Sequence, residues 1–117
     1  MNETKPEKQI DYVELPMSDL NATKAFYQAV FGWRFEDYGP GYISFFDGRV
    51  GGGFTTETQP PASGILLVIY TRDLSALQKA IRDAGGNIVK DTFSFPGGRR
   101  FHFTDPNGNE LAAWSDV

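Results

Sequence analysis

Cysteine is absent from the 117 residues, and histidine occurs once, as His102. Without cysteine there is no disulfide, no thiolate nucleophile and no Cys-based zinc site. A long apolar run is also missing, so no segment is suited to span a bilayer. Met1 to Lys8 is polar and lacks the apolar stretch of a secretory leader. We therefore expect a cytoplasmic protein with no membrane association and a flexible tail over residues 1–9. Basic residues are in the minority, 11 Lys and Arg against 15 Asp and Glu, for a net charge of −4. An acidic surface repels phosphate backbones, so nucleic acid is not an expected partner. The same field favours a cationic or neutral ligand.

What the chain does have is apolar and aromatic surface. Hydrophobic residues make up 40% and aromatics 15%, with ten Phe, enough for a single real core at this length. We place one domain over residues 10–117.

That domain is written twice. Asp19-Leu20 recurs as Asp73-Leu74, each pair following a strand-like run (Ile10 to Met17, Ile65 to Thr71) and opening a helical one. Asp suits the N-cap because its carboxylate accepts from a free backbone N–H. After Asp19 the apolar positions Ala22, Ala25, Phe26, Ala29 and Val30 form one helical stripe, and Gly32 is the stop. After Asp73 the stripe is Leu74, Leu77, Ile81 and Ala84, and Gly85-Gly86 ends it. Three short strands follow each helix: Trp33 to Tyr38, Tyr42 to Asp47 and Val50 to Thr55, then Asn87 to Phe93, Arg100 to Thr104 and Glu110 to Ser115. Asp105-Pro106-Asn107-Gly108 has the composition of a type I turn. Pro60 to Ser63 is a stiff linker between modules of about 10–59 and 64–115. The expected fold is α+β, βαβββ repeated; the alternative is a generic α+β domain with a chance Asp-Leu match.

Asp19 to Tyr27, ending in Val30-Phe31-Gly32-Trp33, resembles the first-helix signature of the glyoxalase-type proteins, and Asp105 to Asn109 resembles the turn before their last strand. From about Ile10 to Trp114 the chain is similar to the vicinal-oxygen-chelate (glyoxalase/bleomycin-resistance/dioxygenase) superfamily, and within it to the short bacterial predicted enzymes related to lactoylglutathione lyase. The resemblance implies two modules whose mixed sheets curl around a shared cleft, and it implies a homodimer.

It also implies where a metal would be held. Metal-dependent members carry ligands seven residues before each helix-capping Asp and seven after the Asp of the Asp-Pro turn. Here those positions are Tyr12, Leu66 and Ala112. The remaining ligand comes from Val50 to Phe54, where Gly51-Gly52-Gly53 offers no side chain. Leu and Ala cannot coordinate, and a phenol must first lose a proton with a pKa of ~10. No cofactor is expected; a divalent metal is the alternative.

Strand parity groups the neighbours of these positions by face, and the resemblance implies that the face bearing Glu14 and Glu110 looks into the cleft. Tyr12 and Glu14 share one face of the first strand, with Val13 and Leu15 opposite. Glu110, Ala112 and Trp114 share one face of the last. Glu14 and Glu110 are thus candidates to bind a cation or to act as acid or base, or else to be solvated or paired with Arg34, Arg99 or Arg100. His102 is a candidate base or lone ligand, or an ordinary strand residue with one hydrogen bond. Tyr12, Trp33, Tyr42, Phe46 and Trp114 are candidates for an aromatic wall that stacks a flat or cationic ligand; packing in the core is the alternative for each. The three glycines do not make a phosphate loop, since no Lys-Ser/Thr follows; in a strand they suggest close approach or a bulge.

Three functions fit. The first is a metal-free cleft protein binding a small organic molecule that is cationic or aromatic. The second is a metal-dependent lyase, isomerase or dioxygenase with Glu14, His102 and Glu110 as unorthodox ligands. The third is a non-catalytic dimerising module.

Overall fold

The computed structural model describes residues 7–117; the tail expected over residues 1–9 lies largely outside them. The elements run β1 (Tyr12–Pro16), α1 (Leu20–Phe31), β2 (Arg34–Asp37), β3 (Tyr42–Phe46), β4 (Gly51–Thr55), β5 (Leu67–Tyr70), α2 (Leu74–Asp83), β6 (Asn87–Phe95), β7 (Gly98–Thr104) and β8 (Glu110–Ser115). This is βαβββ twice. Each module makes a four-stranded mixed sheet, β1-β4-β3-β2 and β5-β8-β7-β6, with the first strand parallel to the last in both.

The two helices start by the same chemistry. Asp19 accepts from the backbone N–H of Ala22 at 2.9 Å and Asp73 from that of Ala76 at 3.0 Å. Gly32 ends α1 in the left-handed conformation, φ 69°, where glycine alone carries no steric penalty.

The buried stripe of α1 follows its apolar residues only in part: Phe26 and Val30 pack on the core as expected. Thr23, Phe26 and Tyr27 are buried, whereas Ala25 and Ala29 are exposed. The polar residues bring their own partners inward: Thr23 Oγ1 donates to the Asp19 carbonyl at 2.7 Å, and the Tyr27 hydroxyl donates to Asp105 Oδ2 at 2.8 Å. A buried polar group with a partner loses its desolvation penalty, and the ring then contributes its full area. In α2 the expected stripe holds, with Leu74 and Ile81 buried.

One core serves both modules. Leu15, Ile43, Phe45 and Phe54 enter it from the first sheet, Phe101, Phe103, Leu111 and Ala113 from the second, and Phe26, Tyr27, Leu74 and Ile81 from the helices. The curled sheet expected from the resemblance is therefore two sheets with a common core. β1 and β5 are edge strands of their own sheets and run along a shared seam, since Val13 and Leu67 border the same recess. The opposite sheet faces are turned outward: Tyr12 is 47% exposed, Val68 45% and Tyr70 46%.

The Asp105 turn locks the modules together. Gly108 N donates to the Asp105 carbonyl at 2.9 Å, the bond that closes a type I turn. Asn109 Nδ2 donates to the Pro16 carbonyl at 2.8 Å, and its Oδ1 accepts from Ala62 N at 2.8 Å. Asn107 Oδ1 accepts from Ser18 N at 2.8 Å.

Candidate functional site: the outward sheet faces and the seam between the modules

Tyr12 and Glu14 project from the same face of β1, as parity requires, and Val13 and Leu15 pack toward the core. Glu14 Oε2 accepts from the Tyr42 hydroxyl at 2.8 Å, and Tyr42 and Tyr12 share a hydrogen bond of 2.5 Å between their hydroxyls. Tyr42 lies on β3, two strands from β1, with β4 between. Its reach crosses Gly53, which pairs with Glu14 on one side and Ser44 on the other. A Cβ at Gly53 would stand 2.0 Å from the Tyr42 oxygen and 2.7 Å from that of Tyr12. Gly52 makes room on the core face, where a Cβ would stand 2.3 Å from the Phe45 ring. The triple glycine is thus a channel for neighbouring side chains, in a regular ladder without a bulge. Burial, and then the bonds to Tyr12 and Glu14, push the Tyr42 phenol well above its ordinary pKa of 10.0.

On the second sheet Glu110 Oε2 bonds His102 Nδ1 at 2.8 Å. His102 is buried, and its Nε2 has no hydrogen-bond partner. Across the strands His102 pairs with Ala112, and Ala112 pairs with Val68 on β5. Ala112 is fully buried. Leu66, the corresponding position of the second module, precedes the first residue of β5, because that strand begins at Leu67 and not at Ile65.

Glu14 and Glu110 belong to the lining of one recess. Both border a cavity of about 350 Å³ at the seam, whose other walls include Leu15, Pro16, Pro61, Ile65 and Leu67. Each carboxylate is tethered through one oxygen, Glu14 by Tyr42 and Glu110 by His102. The three residues do not combine into a metal centre: among the described residues no group of three His, Cys, Asp or Glu is placed to hold an ion.

The aromatic candidates do not form one wall. Only Tyr12 and Tyr42 touch. Trp33 is stacked between Tyr27 at 4.8 Å and Phe45 at 4.7 Å, in a column of core rings. Phe46 lies beside Arg34, whose guanidinium sits 5.2 Å from the ring centroid. Trp114 meets Tyr70 edge-on at 5.2 Å. Trp33, Tyr70 and Trp114 border a separate open hollow of about 840 Å³ on the seam. Arg100, on β7, packs against Phe93 and Phe95, 5.4 and 5.8 Å from their centroids, and its Nε is buried without a partner.

Sequence reasoning passed over the Tyr42–Glu14 bond and the buried Tyr27–Asp105 pair. The signal for the first was present: a strand of bare glycines between two strands bearing Tyr and Glu leaves space that only longer side chains can fill. For the second, periodicity gave no cue, because Tyr27 is inside only by virtue of a partner 78 residues away.

The comparisons with known proteins agree with this architecture. The model of the Glyoxalase/Bleomycin resistance protein/Dioxygenase superfamily matches residues 9–113. A glyoxylase-like domain-containing protein of Didymella fabae is 29% identical, over 88% of this chain and 91% of its own. Among solved structures, a glyoxalase/bleomycin resistance protein/dioxygenase family enzyme from Burkholderia phytofirmans PsJN superposes with a TM-score of 0.79 at 19% identity, covering 92% of this chain and 98% of that one. A glyoxalase-related enzyme from Fulvimarina pelagi gives 0.77 at 20%, covering 92% and 88%. A lactoylglutathione lyase from Agrobacterium tumefaciens gives 0.72 at 19%, covering 95% and 96%. At these identities the structures establish a shared fold.

Proposed function

The chain belongs to the Glyoxalase/Bleomycin resistance protein/Dioxygenase superfamily, and we propose that it serves there as a binding protein for a small organic cation, with the family's metal-ligand positions given over to Tyr12, Leu66 and Ala112. One observation carries this reading: Glu14 and Glu110, one from each module, border a single cavity of about 350 Å³ whose walls mix aliphatic side chains and prolines with Thr58, Gln59 and Ser63. That volume suits a small organic molecule. Two carboxylates supply the charge, and Pro and aliphatic side chains supply contact for an apolar body. The net charge of −4 attracts the same ligands at longer range.

The reading includes a homodimer. The outward face of the second sheet exposes Val68 and Tyr70, and the edge strands β2 and β6, away from the seam, offer unpaired backbone. Two-fold pairing of copies covers both at once.

The test is a thermal-shift screen of organic amines against matched neutral and anionic compounds. Amines should raise the melting temperature, since a ligand of the native state stabilises by mass action. Glu14→Gln and Glu110→Gln should each weaken binding by about tenfold, the loss of one charge-assisted hydrogen bond. Stabilisation by anions alone would reject the proposal.

A further inference from the structure

We propose that Tyr12, Tyr42 and Glu14 form a relay whose open end only accepts hydrogen bonds, so that this face takes primary and secondary ammonium compounds in preference to quaternary ones. The inference rests on the cation-binding reading above and assigns the ligand class within it.

The argument is a count of hydrogens. The Tyr42 hydroxyl donates to Glu14 Oε2 at 2.8 Å. A carboxylate has no hydrogen to give, and a phenol has one. Tyr42 has therefore spent its hydrogen, so in the 2.5 Å contact between the two hydroxyls Tyr12 is the donor and Tyr42 the acceptor. Tyr12 has then spent its hydrogen as well. What remains free is the lone pairs of the Tyr12 oxygen and the second oxygen of Glu14, all acceptors.

Tyr12 is about half exposed, and Glu14 also borders the cavity at the seam, so the open end faces space a ligand can enter. An ammonium with N–H groups satisfies these acceptors directly. A quaternary ammonium carries charge but no donor, and meets the same face only through its field and the rings. A carboxylate ligand meets lone pairs with lone pairs.

Gly53 is the structural condition for the relay. A Cβ there would stand 2.0 and 2.7 Å from the two phenolic oxygens, so the hydroxyls can meet only over a bare strand. The high pKa of the Tyr42 phenol keeps its hydrogen in place and with it the direction of the relay.

The probes are butylammonium, butyltrimethylammonium and butyrate, followed by chemical-shift titration of the full chain. Butylammonium should bind about tenfold or more tightly than its trimethyl analogue, the equivalent of one hydrogen bond between charged groups. Tyr12→Phe removes the acceptor at the open end of the relay, and Gly53→Ala displaces it while keeping all three side chains. Both should bring the two cations within about threefold of each other, with far-UV circular dichroism confirming the fold. Equal binding of the two cations by the wild type, or an undiminished preference in a folded variant, overturns the relay and leaves cation binding standing. Binding of butyrate alone, or of none of the three, overturns both.

Discussion

Asn109 Nδ2 donates to the Pro16 carbonyl at 2.8 Å, so a turn of the second module holds the last residue of the first module's leading strand. The same side chain accepts from Ala62 N and is fully buried. One carboxamide thus ties β1, the linker and the β7–β8 turn.

Asn109→Ala should be among the most damaging single substitutions in the chain. It strands a buried carbonyl and a backbone N–H together, at about 2–4 kcal/mol. Urea denaturation will measure it; a loss under about 0.5 kcal/mol, the size of an ordinary surface change, would mean the turn is held by other contacts.

The Tyr27–Asp105 pair should give stability a marked pH dependence at both extremes. Burial, then the Asp105 charge, raises the Tyr27 phenol well above 10.0. Folding therefore favours the protonated phenol. That stabilisation is complete below pH 10 and is lost as pH rises toward the raised value. Burial also raises Asp105 above 3.8, against the hydrogen bonds it accepts from Tyr27, Asn109 and Asn107. Its contribution is present below 3.8 and lost as pH rises through the raised value, opposite in sign to a salt-bridged carboxylate. Tyr27→Phe should cost about 1–3 kcal/mol at neutral pH by leaving Asp105 a donor short, and should flatten the alkaline limb. An unchanged alkaline limb would show that this phenol does not control it.

Metal should make no difference. On the proposal that the ligand positions fall at Tyr12, Leu66 and Ala112, the three together offer at most one phenolic oxygen where a site needs three or four donors. Protein purified without added metal should hold less than about one-tenth equivalent of zinc, nickel, manganese or iron, against one full equivalent for an occupied site. Chelation should not shift the melting temperature. Stoichiometric metal that disappears in Glu14→Ala or Glu110→Ala would revive the metal-dependent enzyme.

Assembly is checked by light scattering with size-exclusion chromatography. A dimer is expected at tens of micromolar, and a charge placed on the outward face, Val68→Lys or Tyr70→Glu, should shift it toward monomer. A wild-type monomer at that concentration contradicts the assembly.

Much of the fold could be read directly from the residues, because its signals are local. A capping Asp, a left-handed Gly and an Asp-Pro-Asn-Gly turn each act within a few residues, and their repetition disclosed the two modules. Boundaries moved where pairing, not composition, sets them: Ile65 and Leu66 have strand composition but no partner, so β5 starts at Leu67. The α1 stripe was partly misplaced for a related reason, although Phe26 and Val30 do pack on the core. Ala25 and Ala29 are apolar yet exposed, while Thr23 and Tyr27 are inside.

The site was half legible. Alternation along a strand is a property of the backbone, so the shared face of Tyr12 and Glu14 and that of Glu110, Ala112 and Trp114 followed from the sequence by itself. Only the tertiary structure decided which of these residues meet. Tyr42 reaches Glu14 across a glycine strand, Glu110 takes His102, and Trp33 goes to the core between Tyr27 and Phe45. Alternation assigns a side chain to a face. Contact depends on the order and register of strands far apart in the chain, which the common core selects by packing.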